Sequence, residues 1–193
     1  AETVSVYGTE KTFIDGDEGI LRYRGYPIEE LAAKSSFLEV AYLLIYGELP
    51  TPNQLAAFDG EIRRHTLLHE DMRYYFEGVP HTAHPMAMLS GGLQTMSTYY
   101  ESSLDTAVPE FVEVNTIRLL AKLPVLAAYA HKKSIGQAFL YPDNNLSFVE
   151  NFLRLNFGNR AEKYVMNPVL VDALDKLLIL HADHEQNAST STV

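Results

Sequence analysis

The sequence predicts an all-α protein of many helices with one short N-terminal β-hairpin. Three observations carry that reading. Helix-start signals recur along most of the chain, each followed by apolar residues at spacings of three and four. Strand-like alternation is confined to the first two dozen residues. No βαβ alternation and no G-x-G-x-x-G occurs, which argues against a doubly wound nucleotide fold.

In chain order, Thr12 to Arg24 reads as the hairpin. Thr12, Phe13 and Ile14 lead into the turn-rich DGDEG, and Ile20 to Arg24 returns. Pro27 suits a first helical position, with Glu29 and Glu30 in the first turn. Ser36 and Glu39 have capping-box spacing, and the apolar helix behind them stops at Gly47. Thr51, Pro52 and Gln54 open a helix expected to run toward Gly78. Pro85 opens another, with Met86, Leu89, Leu93 and Met96 on one face. Its Gly91-Gly92 pair is poor helix material and predicts close approach by a neighbour.

Pro109 begins the next helix, which Pro124 is expected to kink or break. Ser134 to Asn145 is the longest loop candidate. Ser147 and Glu150 repeat the capping box, and Asn167-Pro168 opens a last helix through Leu178 to His181. The total is about eight helices. No fixed-period repeat or low-complexity linker divides the chain, so residues 1–193 are expected to form one domain.

Composition narrows the function. Hydrophobic residues make up 47% of the 193, enough for a sizeable core, and 21% are charged. The net charge of -10 offers no footprint for nucleic acid or for an anionic membrane surface. No apolar run reaches spanning length, and no secretory signal is visible. Cysteine is absent, so disulfides and thiolate zinc sites are excluded. A cytoplasmic location is expected. The chain begins at Ala1 and not Met, so an upstream segment is expected to have been removed or left out.

The densest polar cluster is HADHEQNASTSTV, from His181 to Val193, directly behind an apolar helix. His181 and His184 share a face if the helix continues. Asn187, Ser189 and Thr190 suit caps or polar pockets. These residues can bind a polar ligand, or they can cap the helix and satisfy one another. A metal reading of His181, Asp183, His184 and Glu185 lacks the two-histidine, one-glutamate helical pattern and a distant third ligand. His65 and His69, followed by Glu70, resemble half a metal site, but a solvated or capping face is the better reading.

An acidic protein that binds a small anion must gather its few cations. Arg63, Arg64 and His65 form a tight basic trio, and Arg118 and Lys122 lie one helical turn apart. His131, Lys132 and Lys133 end a helix, where the macrodipole favours cations without any function. His84, before Pro85, reads as a helix-entry residue.

FIDGDEGILRYRGYPIEELA (Phe13 to Ala32), VAYLLIYGELPT (Val40 to Thr51), SIGQAFLYP (Ser134 to Pro142) and LILHADHEQNASTSTV (Leu178 to Val193) together resemble the citrate synthases. The likeness is collinear from near residue 11, and the wording of the last motif resembles the Gram-negative bacterial (type II) form. The resemblance implies an almost wholly helical large domain, of which this chain is the N-terminal part, with the small closing domain absent. It implies condensation of acetyl-CoA with oxaloacetate to citrate and CoA, with no metal or redox cofactor.

In the family an aspartate removes a methyl proton, one histidine stabilises the enol, another polarises the keto group, and arginines clamp the carboxylates. The G-P-x-H and G-H-R motifs that accompany these groups do not occur here, so no catalytic residue is expected within this chain, and alone it should be inactive. The histidine of the D-H-E motif, which hydrogen-bonds oxaloacetate, maps onto His184, with Asn187 and Ser189 at neighbouring pocket positions. In the type II form NADH inhibits at a separate site, and the matching positions are Arg64, His65, Tyr100, Arg118, Lys122 and Asn144. A homodimer or hexamer is implied. The alternatives are a 2-methylcitrate synthase and a non-catalytic helical oligomerisation fragment.

Overall fold

The computed structural model describes residues 12–15 and 18–183. Among them are eight α-helices and one three-stranded antiparallel sheet. The described residues fall into two compact units. One draws on the stretches Ala1–Phe58 and Pro168–Val193, the other on Asp59–Asn167.

In the first unit, β1 (Thr12–Asp15) pairs with β2 (Ile20–Tyr23), with Thr12 opposite Tyr23 and Asp15 opposite Ile20. This is the expected hairpin. A third strand, β3 (Tyr26–Pro27), extends it on β2. The two-residue turn between β2 and β3 has Arg24 at φ 49° and Gly25 at φ 85°, the doubly left-handed geometry that matches strand twist. Arg24 bears the steric cost of that conformation, and its guanidinium donates to the Leu44 carbonyl at 3.1 Å. Pro27 ends the strand and caps α1 (Ile28–Lys34), so it stands just before the helix rather than as its first residue.

α2 (Phe37–Tyr46) starts on the expected reciprocal box. The Glu39 carboxylate accepts the Ser36 N–H at 2.7 Å, and Ser36 Oγ accepts the Glu39 N–H at 3.4 Å. Gly47, at φ 94°, ends it in the left-handed conformation that favours glycine. α8 (Pro168–Leu180) completes the unit. Tyr23, Ile28, Leu31, Val40, Leu43 and Ile179 form its core.

α3 (Pro52–Arg64) opens with Gln54 accepting the Thr51 N–H at 2.8 Å. It does not continue to Gly78. The chain leaves the helix at His65, whose N–H reaches back only to Ile62, and Thr66 Oγ1 donates to the Arg63 carbonyl. α4 (Met72–Gly78) then starts afresh. In consequence His65 and His69 do not share a helix face.

The second unit holds α4, α5 (Pro85–Ser97), a 3-10 turn at Thr98–Ser103, α6 (Pro109–Ser134) and α7 (Phe148–Phe157). His84 caps α5 as expected, its ring accepting the Met86 N–H at 3.2 Å. The Gly91-Gly92 pair faces α4. A Cβ on Gly91 would collide with the Tyr75 hydroxyl and lie 3.2 Å from its Cζ, and one on Gly92 would lie 3.4 Å from the Phe76 ring.

α6 runs through Pro124 unbroken for 26 residues. Proline removes one N–H from the ladder, but Ala121, Val125 and Leu126 are all buried around it, and packing on both sides of the proline holds the helix together. The core gathers Met72, Phe76, Met88, Leu126, Tyr129 and Leu155. The Tyr129 ring stacks on Phe139 at 4.4 Å between centroids. α7 repeats the capping box with Ser147 and Glu150.

Candidate functional site

Two regions bear on the sequence-based expectations. The first is the end of α8. His184, Asn187 and Ser189 lie outside the described residues. Their immediate predecessor, Asp183, is well fixed. Thr12 Oγ1 on β1 donates to the Asp183 carboxylate, and the Tyr23 hydroxyl on β2 donates to the Asp183 carbonyl at 3.1 Å. Tyr23 is fully buried, and burial pushes its phenol pKa up, so it stays a neutral donor. The hairpin thus anchors the point where the D-H-E motif begins. His181 places Nδ1 2.7 Å from the Leu177 carbonyl, a local helix-end contact. Among the described residues no group of three or more His, Asp or Glu could hold a metal ion. His69 instead stacks on Tyr99 at 4.3 Å and accepts the Asp71 N–H at 3.2 Å.

The second region is a cationic cluster in the Asp59–Asn167 unit. α6 presents Arg118 and Lys122 four residues apart, on one face. The 3-10 turn brings Tyr100 beneath them. The Arg118 guanidinium carbon lies 4.6 Å, and Lys122 Nζ 5.8 Å, from the Tyr100 ring centroid. Arg118 Nη1 donates to Ser103 Oγ at 2.9 Å and to Asn115 Oδ1 at 3.0 Å, while its buried Nε has no hydrogen-bond partner. Lys122 is buried and donates to the Leu67 carbonyl. Burial and then the charge of Arg118 push its pKa down to about 8. His65 is lowered by burial, then by Arg118 and Lys122, with Glu61 opposing and Arg64 adding a little.

Of the six positions matched to a nucleotide site, Tyr100, Arg118 and Lys122 are brought together, and His65 feels the two cations. The Arg64 guanidinium turns to an ion pair with Glu61. Asn144 Oδ1 accepts from the Thr66 hydroxyl at 3.0 Å. Arg63 donates to the Asn144 carbonyl at 2.6 Å. Ser103, Asn115 and the Leu67 carbonyl, which fix the two cations, carry no sequence signal. Among the described residues no carboxylate pairs with Arg118 or Lys122. Beside Tyr100 and Arg118 lies a cavity of about 250 Å³ walled by Leu93, Met96, Leu104 and Leu119. Two cations with no carboxylate partner among the described residues, an aromatic face and an apolar slot can take an anion that carries a flat or apolar group.

The cations ending α6 are structural. Buried Lys132 donates to Gln137 Oε1 and the Gly158 carbonyl, both at 2.6 Å, and Lys133 to the Glu77 carbonyl at 3.0 Å. Among the described residues no helix is long and apolar enough to cross a membrane.

All 193 residues match the family described as citrate synthase, C-terminal domain. The chain is 64% identical over 182 residues to citrate synthase 1 of Mycobacterium tuberculosis, covering 94% of this chain and 42% of that protein. It is 55% identical over 192 residues to the citrate synthase of Corynebacterium glutamicum, covering 98% and 44%. Both organisms are actinobacteria, so these relatives lend no support to a Gram-negative form. Among solved structures, the citrate synthase of Pyrobaculum aerophilum superimposes with a TM-score of 0.85 at 33% identity, over 97% of this chain and 47% of that one. A ternary complex of carboxymethyl coenzyme A and oxaloacetate with the citrate synthase of Thermoplasma acidophilum gives 0.82 at 25% identity, over 98% and 48%. The chain therefore spans under half the length of these relatives.

Proposed function

The chain belongs to the citrate synthase family, and on that premise we propose that the intact protein condenses acetyl-CoA with oxaloacetate to give citrate and CoA. The observation that carries this is the 64% identity to a citrate synthase across 94% of the chain. In this reading His184 donates a hydrogen bond to oxaloacetate, with Asn187 and Ser189 beside it. The anchoring of Asp183 by Thr12 and Tyr23 supports it, because a binding residue works best next to a fixed backbone. No residue of this chain abstracts the methyl proton, and no metal or redox group takes part. The working form is a cytoplasmic homodimer or hexamer.

His184→Ala in the intact enzyme raises the KM for oxaloacetate and lowers kcat. Unchanged kinetics would remove His184 from the pocket. A 2-methylcitrate synthase would instead show the higher kcat/KM with propionyl-CoA than with acetyl-CoA. If neither thioester were turned over, a non-catalytic helical oligomerisation role would stand.

A second reading concerns regulation, as in the type II form. The cluster of Tyr100, Arg118 and Lys122, with His65, Arg64 and Asn144 at its edge, binds the phosphates of NADH as an inhibitor. Two cations with no carboxylate partner among the described residues favour it. Fluorescence titration of NADH should saturate with the wild type and weaken with Arg118→Ala. An absence of binding would leave the cluster a structural element.

A further inference from the structure

We propose that a second groove of the Asp59–Asn167 unit, separate from the Arg118 cluster, is a binding site for a phosphate-rich anion. The groove has a volume of about 1310 Å³, and Arg73, Arg154, Arg160 and Lys163 line it together with Tyr141 and Tyr164. It shares no lining residue with the cavity beside Arg118. Two carboxylates, Asp143 and Glu162, also line it. Asp143 is committed to a local turn, accepting the Asn145 N–H at 3.0 Å and its side-chain amide at 2.9 Å. Arg73 is ion-paired with Glu70 and Glu77, which leaves three cations against the two lining carboxylates, still a local positive excess in a chain of net charge -10.

Arg154 and Arg160 are held by backbone and yet form no ion pair among the described residues. Arg154 Nη1 donates to the Tyr141 carbonyl at 2.8 Å, and Arg160 Nη2 donates to the Phe139 carbonyl at 3.0 Å. The two carbonyls are two residues apart on one segment, so a single stretch of backbone fixes both guanidiniums. A bond to a carbonyl orients a guanidinium without cancelling its charge, and each keeps further N–H donors. Among the described residues no carboxylate forms an ion pair with Arg154, Arg160 or Lys163. Arg73 is the exception, ion-paired with Glu70 at 3.1 Å and with Glu77 at 3.9 Å, although its buried Nε has no hydrogen-bond partner. Gly158 lets the chain double back here, because a Cβ would stand 2.6 Å from the Arg154 carbonyl oxygen.

The helix macrodipole explains one of these charges only. Arg154 sits in the last turn of α7, where a cation is favoured. Arg160 and Lys163 lie beyond the helix on exposed chain, and the dipole effect has faded there. Forked guanidiniums match carboxylate and phosphate oxygens alike, but several cations spread along one groove suit an anion that carries several charges in a row, as a polyphosphate does. The groove is also far larger than a small keto acid requires. The ligand is therefore a polyphosphate, either free or as part of a nucleotide, and the Tyr164 ring on the wall would serve a base.

Calorimetric titration of the purified protein with inorganic triphosphate, at constant ionic strength, tests the assignment, with ATP titrated in parallel. In Arg154→Ala/Arg160→Ala the triphosphate Kd rises by about tenfold or more, as loss of two charge-assisted contacts requires. Lys163 is exposed and makes no ion pair among the described residues, so Lys163→Glu should leave the fold intact, yet it too weakens binding measurably. The losses persist in an Arg118→Ala background, where the other cationic cluster is disabled. ATP binding tighter than triphosphate identifies a nucleotide as the source, and equal affinity identifies free polyphosphate. No binding of triphosphate by the wild type, or an unchanged Kd in Lys163→Glu, overturns the proposal. None of these readouts depends on citrate formation, so they fail or succeed apart from the catalytic reading.

Discussion

The guanidinium of Arg118 lies over the ring of Tyr100, its central carbon 4.6 Å from the ring centroid, and the Lys122 ammonium shares the same ring at 5.8 Å. One aromatic ring offsets only part of the repulsion between two cations, about 0.5–2 kcal/mol. The rest of the strain is expressed in the titration of neighbouring groups.

His65 reports that strain. Burial lowers its pKa first, and Arg118 is the next largest cause. Removing a cation favours the protonated imidazole, so Arg118→Ala moves the His65 midpoint up toward 6.5. Arg64→Ala moves it less, since Arg64 contributes least of the charges around it. NMR titration of the imidazole protons measures both. A His65 midpoint that ignores Arg118 would mean the two side chains are not neighbours.

Lys122 makes stability depend on pH in a defined window. Its pKa is about 8 when folded, against an ordinary value of 10.5. Below pH 8 both states carry the proton and the cost of burying the charge is fully present. Between about 8 and 10.5 the folded state has lost a proton that the unfolded state keeps, so folding is favoured more as pH rises. Lys122→Met lacks this gain. Urea unfolding at about pH 7.5 and about pH 10, on either side of most of that window, should show the wild type gaining on the variant at the higher pH. A constant difference would count against the buried, deprotonating lysine.

Helix starts were legible because they are local. Ser36 with Glu39, Thr51 with Gln54, and Ser147 with Glu150 all close boxes within one turn, and the sequence spacing alone reveals them. The break after Arg64 was not legible. It has no Gly or Pro, and Thr66 is held partly by Asn144, 78 residues away. Pro124 did not break its helix, because tertiary packing outweighs a single lost hydrogen bond. The Tyr100–Arg118 contact joins two elements and showed only through the family resemblance. The carbonyl of Leu67 is invisible to any motif, since backbone acceptors carry no side-chain signature.

The Gly91-Gly92 pair was readable as a close approach, and the contact predicts a non-additive mutant cycle. The Tyr75 hydroxyl occupies the space of a Gly91 side chain while donating to the Met88 carbonyl at 2.9 Å. Gly91→Ala must displace that ring and should cost about 1–3 kcal/mol, as overpacking does. Tyr75→Phe removes the colliding oxygen and leaves Cζ at 3.2 Å from the new methyl. The double variant should therefore be more stable than the sum of the single losses predicts, a coupling that chemical denaturation can resolve. Strict additivity would show that Gly91 is present for another reason.

Asp175 on α8 faces the first N–H of α2, accepting from Phe37 at 3.1 and 3.2 Å through its two oxygens. A carboxylate at a helix N-terminus is normally stabilising and would have a lowered pKa. Here the pKa is raised, because burial outweighs the Phe37 hydrogen bond and the negative charges of Asp172 and Glu39 add to it. The sign follows from proton counts. Below the ordinary carboxylate value of 3.8 both states are protonated. Just above it the folded state still holds a proton that the unfolded state has released, so stability falls as pH rises through this range. At neutral pH the ionised carboxylate carries the full cost of its burial. The amide introduced by Asp175→Asn keeps an oxygen for the Phe37 N–H without that charge. The variant should therefore match or exceed the wild type in stability at about pH 7, and lose that advantage near pH ~3, where the wild-type carboxyl is itself neutral. Urea denaturation at the two pH values decides it. A variant equally destabilised at both would show that the Phe37 contact needs the charge, and that burial is not what governs this carboxylate.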